Sequence, residues 1–195
     1  AARRGLTPVL AGRNGDAVET LGAELGLPTR VFPLENAEYV AAQLDGLALV
    51  LHCAGPFSAT CEPMLLGCAR AGVHYLDVTG EIDVFEYVHQ QDSRWQQAGI
   101  AAMPGVGFDV VPTDCLAARL ANILPGANQL ELAFRWPKRI SPGTMKTTVE
   151  GASRGTRRRI ARRIVDVPPG TRRRVAFADG EANCVAIPWG DVSTA

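Results

Sequence analysis

Apolar runs alternate with amphipathic stretches along the first half of the chain. The run at residues 47–51, LALVL, is continuously apolar. It predicts a strand buried on both faces of a parallel sheet, because a strand with one wet face would alternate polar and apolar residues. Further apolar stretches predict strands at residues 6–11, 29–34, 73–78 and 99–103.

Amphipathic stretches between these strands predict helices at residues 16–25, 37–44, 61–71 and 83–97. Gly26, Gly46 and Gly72 follow three of them, where glycine commonly ends a helix. Pro63 is expected in the first turn of its helix, where a missing N–H is tolerated. Strict alternation of strands and helices indicates parallel βαβ units with right-handed crossovers. The fold class expected is α/β, with a Rossmann-like doubly wound parallel sheet.

The pattern changes after Pro104. A helix is expected at residues 112–124, with Leu116, Leu120 and Ile123 on its packed side, and alternation over residues 129–136 predicts a half-buried strand. Further expected elements are a helix starting at Ser141 and Pro142, a basic helical stretch at residues 154–165, a turn at residues 168–170 and strands at residues 172–177 and 183–187. We expect a dinucleotide-binding domain over residues 1–118 and part of an α+β domain over residues 119–195.

Composition indicates a globular protein and limits its expected partners and cellular compartment. Hydrophobic residues make up 47% and charged residues 21%, and the net charge is zero, so nucleic acid is not expected as a partner. No apolar run approaches the ~20 residues of a membrane span. The five cysteines show no C-x-x-C spacing, which favours reduced thiols in the cytoplasm and no metal site.

Arg13 and Asn14 follow the first visible strand. In a dinucleotide fold, an acidic residue at this place would bind the ribose hydroxyls of NAD, and an arginine suits the 2′-phosphate of NADP. No Asp or Glu occurs between Leu6 and Gly15, so NADP is favoured over NAD. The alternative is an ordinary surface arginine at the end of a strand.

Other candidate residues follow the later strands, at the sheet edge where doubly wound folds bind ligands. Gly55 allows a ligand to approach the backbone and Pro56 ends the strand. The expected cofactor-binding residues at this edge are Cys53, Ala54, Gly55, Pro56, Phe57, Asp77, Thr79, Gly80, Gly107 and Phe108. Thr79 and Asp83 have an alternative role as caps of the following helix.

Glu81 and Asp109 are the catalytic candidates, because a carboxylate near a closed cleft can have its proton affinity tuned. Asp114 is expected to lie in the first turn of a helix, where its charge suits the helix dipole.

The sequence contains no complete glycine-rich loop of the kind that binds the phosphates of a dinucleotide. The segment Gly105-Val106-Gly107 resembles the opening of G-x-G-x-x-G but lacks the third glycine. In the strand order 3-2-1-4-5-6 the strand that carries this loop is central, between residues 6–11 and 47–53. We therefore expect a strand and a glycine-rich turn to precede Ala1, and the given chain to be truncated.

Six motifs taken together carry a family resemblance. They are GRN at residues 12–14, CAGPF at 53–57, EP at 62–63, AGVHYLDVTGE at 71–81, GVGFDVVPTD at 105–114 and IPWGDVST at 187–194. Together they resemble the saccharopine dehydrogenase-like oxidoreductases, in the bacterial branch that includes trans-acting enoyl reductases. The resemblance implies an NAD(P)-binding Rossmann domain, then an α+β domain with substrate and dimer contacts. It implies hydride transfer to a small or lipid-derived substrate.

A basic cluster carries the rival interpretation. Nine of the 20 Lys and Arg residues lie close together: Arg154, Arg157, Arg158, Arg159, Arg162, Arg163, Arg172, Arg173 and Arg174. Such clustering fits a solvated face, or a non-catalytic module that docks an acyl carrier or a lipid surface, with RNA the last choice. This reading allows peripheral contact with a membrane.

Overall fold

The computed structural model describes residues 4–135, 155–168 and 170–195. The first part contains β1 (Leu10–Gly12), α1 (Gly15–Leu25), β2 (Thr29–Val31), α2 (Ala37–Gln43), β3 (Leu49–His52), α3 (Phe57–Ala71), β4 (His74–Asp77), α4 (Ile82–Gln90), α5 (Asp92–Gln97), β5 (Ala102–Met103) and α6 (Val111–Ile123). The later part contains β6 (Thr156–Ile160), β7 (Arg163–Val167), β8 (Arg172–Phe177), β9 (Gly180–Val185) and α7 (Asp191–Thr194).

Every pairing among the first five strands is parallel. β1 pairs with β2, and β3, β4 and β5 form a second sheet in that order. This arrangement confirms the α/β fold with parallel strands connected through helices. Within the described residues no strand hydrogen-bonds to both β1 and β3, so the two sheets stay separate. None of the described helices combines the length and apolar character needed to cross a bilayer.

The core lies on one face of the β3–β4–β5 sheet. Val50 and Tyr75 face buried side chains from α2, α3, α4 and α5. The two helices α2 and α3 approach closely at Gly67, where an added Cβ would lie 2.4 Å from a methyl carbon of Val40. Trp95 fills the far side of the core and its indole N–H donates to the Val88 carbonyl at 2.9 Å.

The opposite face of this sheet corrects the expectation for residues 47–51. Leu49 and Leu51 are 46% and 54% exposed, so β3 is buried on one face only within the described residues. Leu51, Leu76 and Met103 are neighbours across the three strands on this open face. The buried side chains of α2, α3 and α5 belong to the core on the other face, which explains the exposure.

Two helix predictions were wrong in their limits. α3 begins at Phe57, so Pro63 lies inside the helix and not in its first turn. The predicted helix over residues 83–97 is two helices, because the chain leaves helical geometry at Gln91 (φ −107°, ψ 18°). The ends at Gly26 and Gly72 were right, and both glycines adopt the left-handed conformation.

The basic stretch is an antiparallel hairpin, not the helix that was predicted. β6 and β7 pair directly, and the turn between them consists of Ala161 and Arg162 with φ of 48° and 66°. Two successive positive φ angles produce the twist that a tight hairpin needs. β8 and β9 form a second hairpin, in which β9 begins three residues earlier than expected, at Gly180.

The segment after α6 departs from its prediction as well. Residues 129–135 contain neither strand nor helix, and Trp136 and the predicted helix at residues 141–152 lie outside the described residues. On α6 itself the expected packing side is open, with Leu116, Leu120 and Ile123 exposed by 50%, 36% and 60%. The domain boundary near residue 118 stays a prediction.

Candidate functional site

The carboxyl ends of β3, β4 and β5 meet at one edge of the sheet because the strands are parallel and in register. His52 pairs with Asp77 at the end of β3 and β4. The loops after β4 and β5 touch: an added Cβ on Gly107 would lie 2.8 Å from the Val78 Cβ, and one on Gly80 would lie 3.5 Å from the Asp109 carboxylate. The sequence-predicted residues of these loops are therefore brought together.

Asp77 anchors two of the loops from inside the protein. Its side chain is fully buried, and Oδ1 accepts hydrogen bonds from the backbone N–H of Thr79 (2.9 Å) and Gly105 (2.8 Å). Oδ2 accepts a hydrogen bond from the Tyr75 hydroxyl at 2.7 Å. Burial raises the pKa of Asp77, and the three hydrogen bonds oppose this rise. The structure favours loop positioning for this side chain over direct cofactor contact.

Thr79 is buried as well, and its hydroxyl oxygen accepts from the Glu81 backbone N–H at 3.0 Å. The N-cap position of α4 belongs to Glu81, so Thr79 stabilises the turn before the helix without being its N-cap. Asp83 lies in the first turn of α4 and forms an ion pair with Arg157.

Glu81 caps the start of α3. Its Oε1 accepts from the Phe57 backbone N–H and its Oε2 accepts from the Ser58 backbone N–H, each at 2.8 Å. The N-cap position of α3 is Pro56, joined to Gly55 by a cis peptide bond, and its side chain has no acceptor. Sequence reasoning placed Glu81 at this edge but missed the cap, because the two partners are 24 residues apart.

His52 is a packed, neutral histidine beneath the loop after β3. Its Nε2 lies 3.0 Å from the Thr60 hydroxyl oxygen, and that hydroxyl donates its one proton to the Ala54 carbonyl at 2.6 Å. Nε2 is therefore the protonated nitrogen, donating to Thr60. Burial lowers the pKa of His52 to about 4. The ring also meets Phe57 edge-on at 5.4 Å, which ties the strand to the start of α3.

Arg13 and Asn14 stand at the carboxyl end of β1, as predicted. Asn14 is the N-cap of α1, and its Oδ1 accepts from the Ala17 backbone N–H at 3.2 Å. Arg13 is exposed, and its guanidinium has no hydrogen-bond or ion-pair partner in the part of the chain that the structure describes. Its charge is available to a ligand.

The loop between β5 and α6 carries Phe108 and Asp109. Phe108 is 85% exposed, and Asp109 is half-buried, which raises the pKa of its carboxyl group. The backbone carbonyl of Asp109 accepts from the Trp189 indole N–H at 2.5 Å. Gly190 packs tightly beside this loop, since an added Cβ would lie 2.8 Å from a methyl carbon of Val110. A segment from the far end of the chain thus supports the candidate site.

The C-terminal helix α7 rests on α6. Thr194 donates a hydrogen bond to the Asp114 carboxylate at 2.8 Å, and Asp114 lies in the first turn of α6 as expected. Burial raises the pKa of Asp191 in the same helix. These contacts fix the segment that contains Trp189.

Half of the described arginines of the basic cluster already have partners. Arg157 binds Asp83 and Asp166, Arg159 donates to the carbonyls of Val192 and Ser193, Arg173 binds Glu131, and Arg174 binds Glu181. Arg158, Arg162, Arg163 and Arg172 have none within the described ranges, and Arg154 lies outside them. The free positive charge is therefore smaller than the sequence suggested.

No model of a known protein family matches the chain. Several individual proteins are similar to it in sequence. A trans-acting enoyl reductase of Mycobacterium tuberculosis is 27% identical over 180 residues, which is 82% of this chain and 41% of that protein. A probable mitochondrial saccharopine dehydrogenase-like oxidoreductase of Arabidopsis thaliana is 33% identical over 67 residues, which is 34% of this chain and 15% of that protein.

The chain is similar in sequence to saccharopine dehydrogenase-like oxidoreductases. The fold agrees with this similarity. The apo saccharopine dehydrogenase (L-Glu forming) of Saccharomyces cerevisiae superimposes with a TM-score of 0.52 at 13% identity, over 60% of this chain and 25% of the yeast enzyme. The chain spans less than half the length of these relatives.

Proposed function

We propose that this chain is part of an NADP-dependent oxidoreductase that passes hydride between the nicotinamide and a small or lipid-derived substrate. The observation that carries the proposal is the meeting of the loops after β3, β4 and β5 at one carboxyl edge. Open parallel α/β sheets bind their ligands at this edge. The names of the relatives support the reaction class, and the substrate range follows from the enoyl reductase resemblance.

The residues at the edge fit an anionic dinucleotide. The carboxylates of Asp77 and Glu81 both accept hydrogen bonds from backbone N–H groups of the protein, so neither projects as a free charge toward a ligand. Cys53 and Phe108 are exposed beside them. In the proposal Cys53, Ala54, Gly55, Pro56 and Phe57 line the nicotinamide and its ribose, and Gly80, Gly107 and Phe108 form the facing wall.

The nicotinamide supplies the hydride chemistry when it is bound, and the protein supplies orientation and a proton. We assign the proton to Asp109, because its half-buried carboxyl group has a raised pKa and stays protonated to higher pH than an exposed aspartate. Glu81 is less suited to proton transfer, because both of its oxygens hold the start of α3.

Arg13 is proposed to select NADP. A forked guanidinium forms paired hydrogen bonds with a phosphate, and this one has no competing partner among the described residues. Asn14 supports it by fixing the start of α1 directly after the strand.

The test is a titration of the full-length protein with NADPH and with NADH, followed by nicotinamide fluorescence. We expect Arg13→Ala to weaken NADPH binding roughly tenfold or more and to leave NADH binding unchanged. Arg70→Ala is the control, because it also removes a positive charge. Arg70 lies in the last turn of α3, at the end of the helix away from the proposed site. Equal NADPH affinity in wild type and Arg13→Ala would overturn the assignment.

A second candidate function rests on one face of the β6–β7 hairpin. Arg158 and Arg163 have no partner within the described ranges, and they flank Ile160, which is 45% exposed. A basic face with an apolar side chain suits an acyl carrier or an anionic lipid surface. Salt-sensitive binding of the full-length protein to anionic vesicles, lost in Arg158→Glu, would favour this function if no dinucleotide binds.

A further inference from the structure

The start of α3 carries the electrostatic features of an anion site. The first N–H groups of a helix have no partner within it, and the helix dipole adds partial positive charge there. In α3 the N-cap residue is Pro56, which offers no side-chain acceptor. This helix start lies at the carboxyl edge, directly after Gly55, where a bound phosphate would ordinarily be expected.

Glu81 fills this position with both of its oxygens. The two 2.8 Å hydrogen bonds to the N–H groups of Phe57 and Ser58 have the geometry with which a helix start binds a free carboxylate. The carboxylate belongs to the loop after β4, so the bond joins the ends of two neighbouring strands. A mobile anion could bind the same N–H groups only by displacing Glu81.

Buried residues hold Glu81 in place. Its backbone N–H donates to the Thr79 hydroxyl at 3.0 Å, and the Thr79 N–H donates to the Asp77 carboxylate at 2.9 Å. Asp77 and Thr79 are both almost fully buried. The capping carboxylate is therefore presented from a rigid turn, as a group with a positioning task requires.

We propose that Glu81 is a positioning and specificity-determining residue that serves as the built-in anion of the α3 start. It fixes the Gly55–Phe57 turn against the loop after β4. It also excludes phosphate from this part of the edge, which is thereby reserved for an uncharged portion of the ligand. This last step rests on the proposed dinucleotide function, in which Arg13 at the carboxyl end of β1 binds the 2′-phosphate.

Chemical rescue tests whether Glu81 serves as the anion of the α3 start. In the full-length protein, Glu81→Ala should lower the Tm by about 2 °C, because the start of α3 loses its cap. Formate at high concentration should bind the freed N–H groups and restore roughly half of that loss. Glu81→Gln keeps one acceptor and should show a smaller loss with weaker rescue. Glu62→Ala is the control, because it removes the same charge from the exposed surface of α3 away from its start.

The outcomes separate the built-in anion from a general structural role. Rescue of Glu81→Ala and Glu81→Gln by formate, with no response in wild type or Glu62→Ala, supports the proposal. A loss of Tm that formate does not restore in either Glu81 variant would contradict it. If Glu81→Ala fails to fold, the comparison of Glu81→Gln with Glu62→Ala decides.

Competition between inorganic phosphate and NADPH tests whether Glu81 excludes phosphate from the α3 start. Phosphate should inhibit NADPH binding at least several-fold more in Glu81→Gln than in wild type, because the freed N–H groups bind it. Equal inhibition would contradict the exclusion of phosphate. Failure of the proposed function has a different signature, since the wild type would then bind no dinucleotide while the formate rescue would still report on the cap.

Discussion

Different interactions stabilise two regions of the described chain, the part up to residue 135 and the part from residue 155 onward. Every hydrophobic residue of the buried core lies between Phe32 and Ala117. Among the described residues from 155 onward the buried side chains are polar, namely Thr156, Asp191 and Ser193. Ion pairs and hydrogen bonds attach this later region to the first: Arg157 pairs with Asp83, Trp189 donates to the Asp109 carbonyl, and Thr194 donates to the Asp114 carboxylate. The sheet region therefore supplies stability through its hydrophobic core, and the hairpin region depends on polar contacts with its neighbours.

Removing a core side chain should give the largest effect and so sharpen this contrast. Leu65 in α3 is fully buried, and Leu65→Ala should lower the free energy of unfolding by about 2–5 kcal/mol. Ile160→Ala in the hairpin should cost less than about 1 kcal/mol, because the side chain is 45% exposed. Urea unfolding of the full-length variants measures both, and similar losses would break the comparison.

Acid should weaken the sheet region through His52. Its pKa is about 4 in the folded protein against an ordinary value of 6.5. The unfolded chain therefore binds the proton first as the pH falls, and stability declines between pH 6.5 and pH 4. The full loss is about 3 kcal/mol from this shift. His52→Gln should flatten the dependence, and His89→Gln, on the exposed side of α4, should leave it intact. An unchanged slope in His52→Gln would refute the assignment.

Salt should act mainly on the hairpin region. Arg157→Ala removes ion pairs to Asp83 and Asp166 and should cost less than about 1 kcal/mol of global stability. Hydrogen exchange of the β6 and β7 amides should nevertheless accelerate, as it should in wild type at high salt. Arg158→Ala is the matched control, since Arg158 has no partner within the described ranges. Equal exchange in the two variants would show that the ion pairs do not hold the hairpin.

Local signals made much of the first region predictable. Gly26 and Gly72 end their helices because each adopts a positive φ that glycine tolerates, with 64° and 68° observed. The alternation of strands and helices was enough to place the residues after β3, β4 and β5 at one edge. These predictions depend on short sequence windows and on the rules for connecting parallel strands.

Contacts between distant residues explain what the sequence did not reveal. The start of α3 at Phe57 depends on a carboxylate 24 residues away, and no local cap marks it. The hairpin was mistaken for a helix because arginine favours helices, and because Ala161 and Arg162 replace the glycine or asparagine typical of such turns. The support of Asp109 by Trp189 spans 80 residues.

Alkylation of cysteines in the full-length protein, with and without NADPH, tests the central claim most directly. Cys53 and Cys115 are both exposed, and only Cys53 lies at the proposed cofactor edge. We predict that NADPH slows the alkylation of Cys53 several-fold and leaves Cys115 unchanged, as read by mass spectrometry of the labelled peptides. Saturating NADPH that leaves the Cys53 rate unaltered would contradict a dinucleotide site at the carboxyl edge of β3.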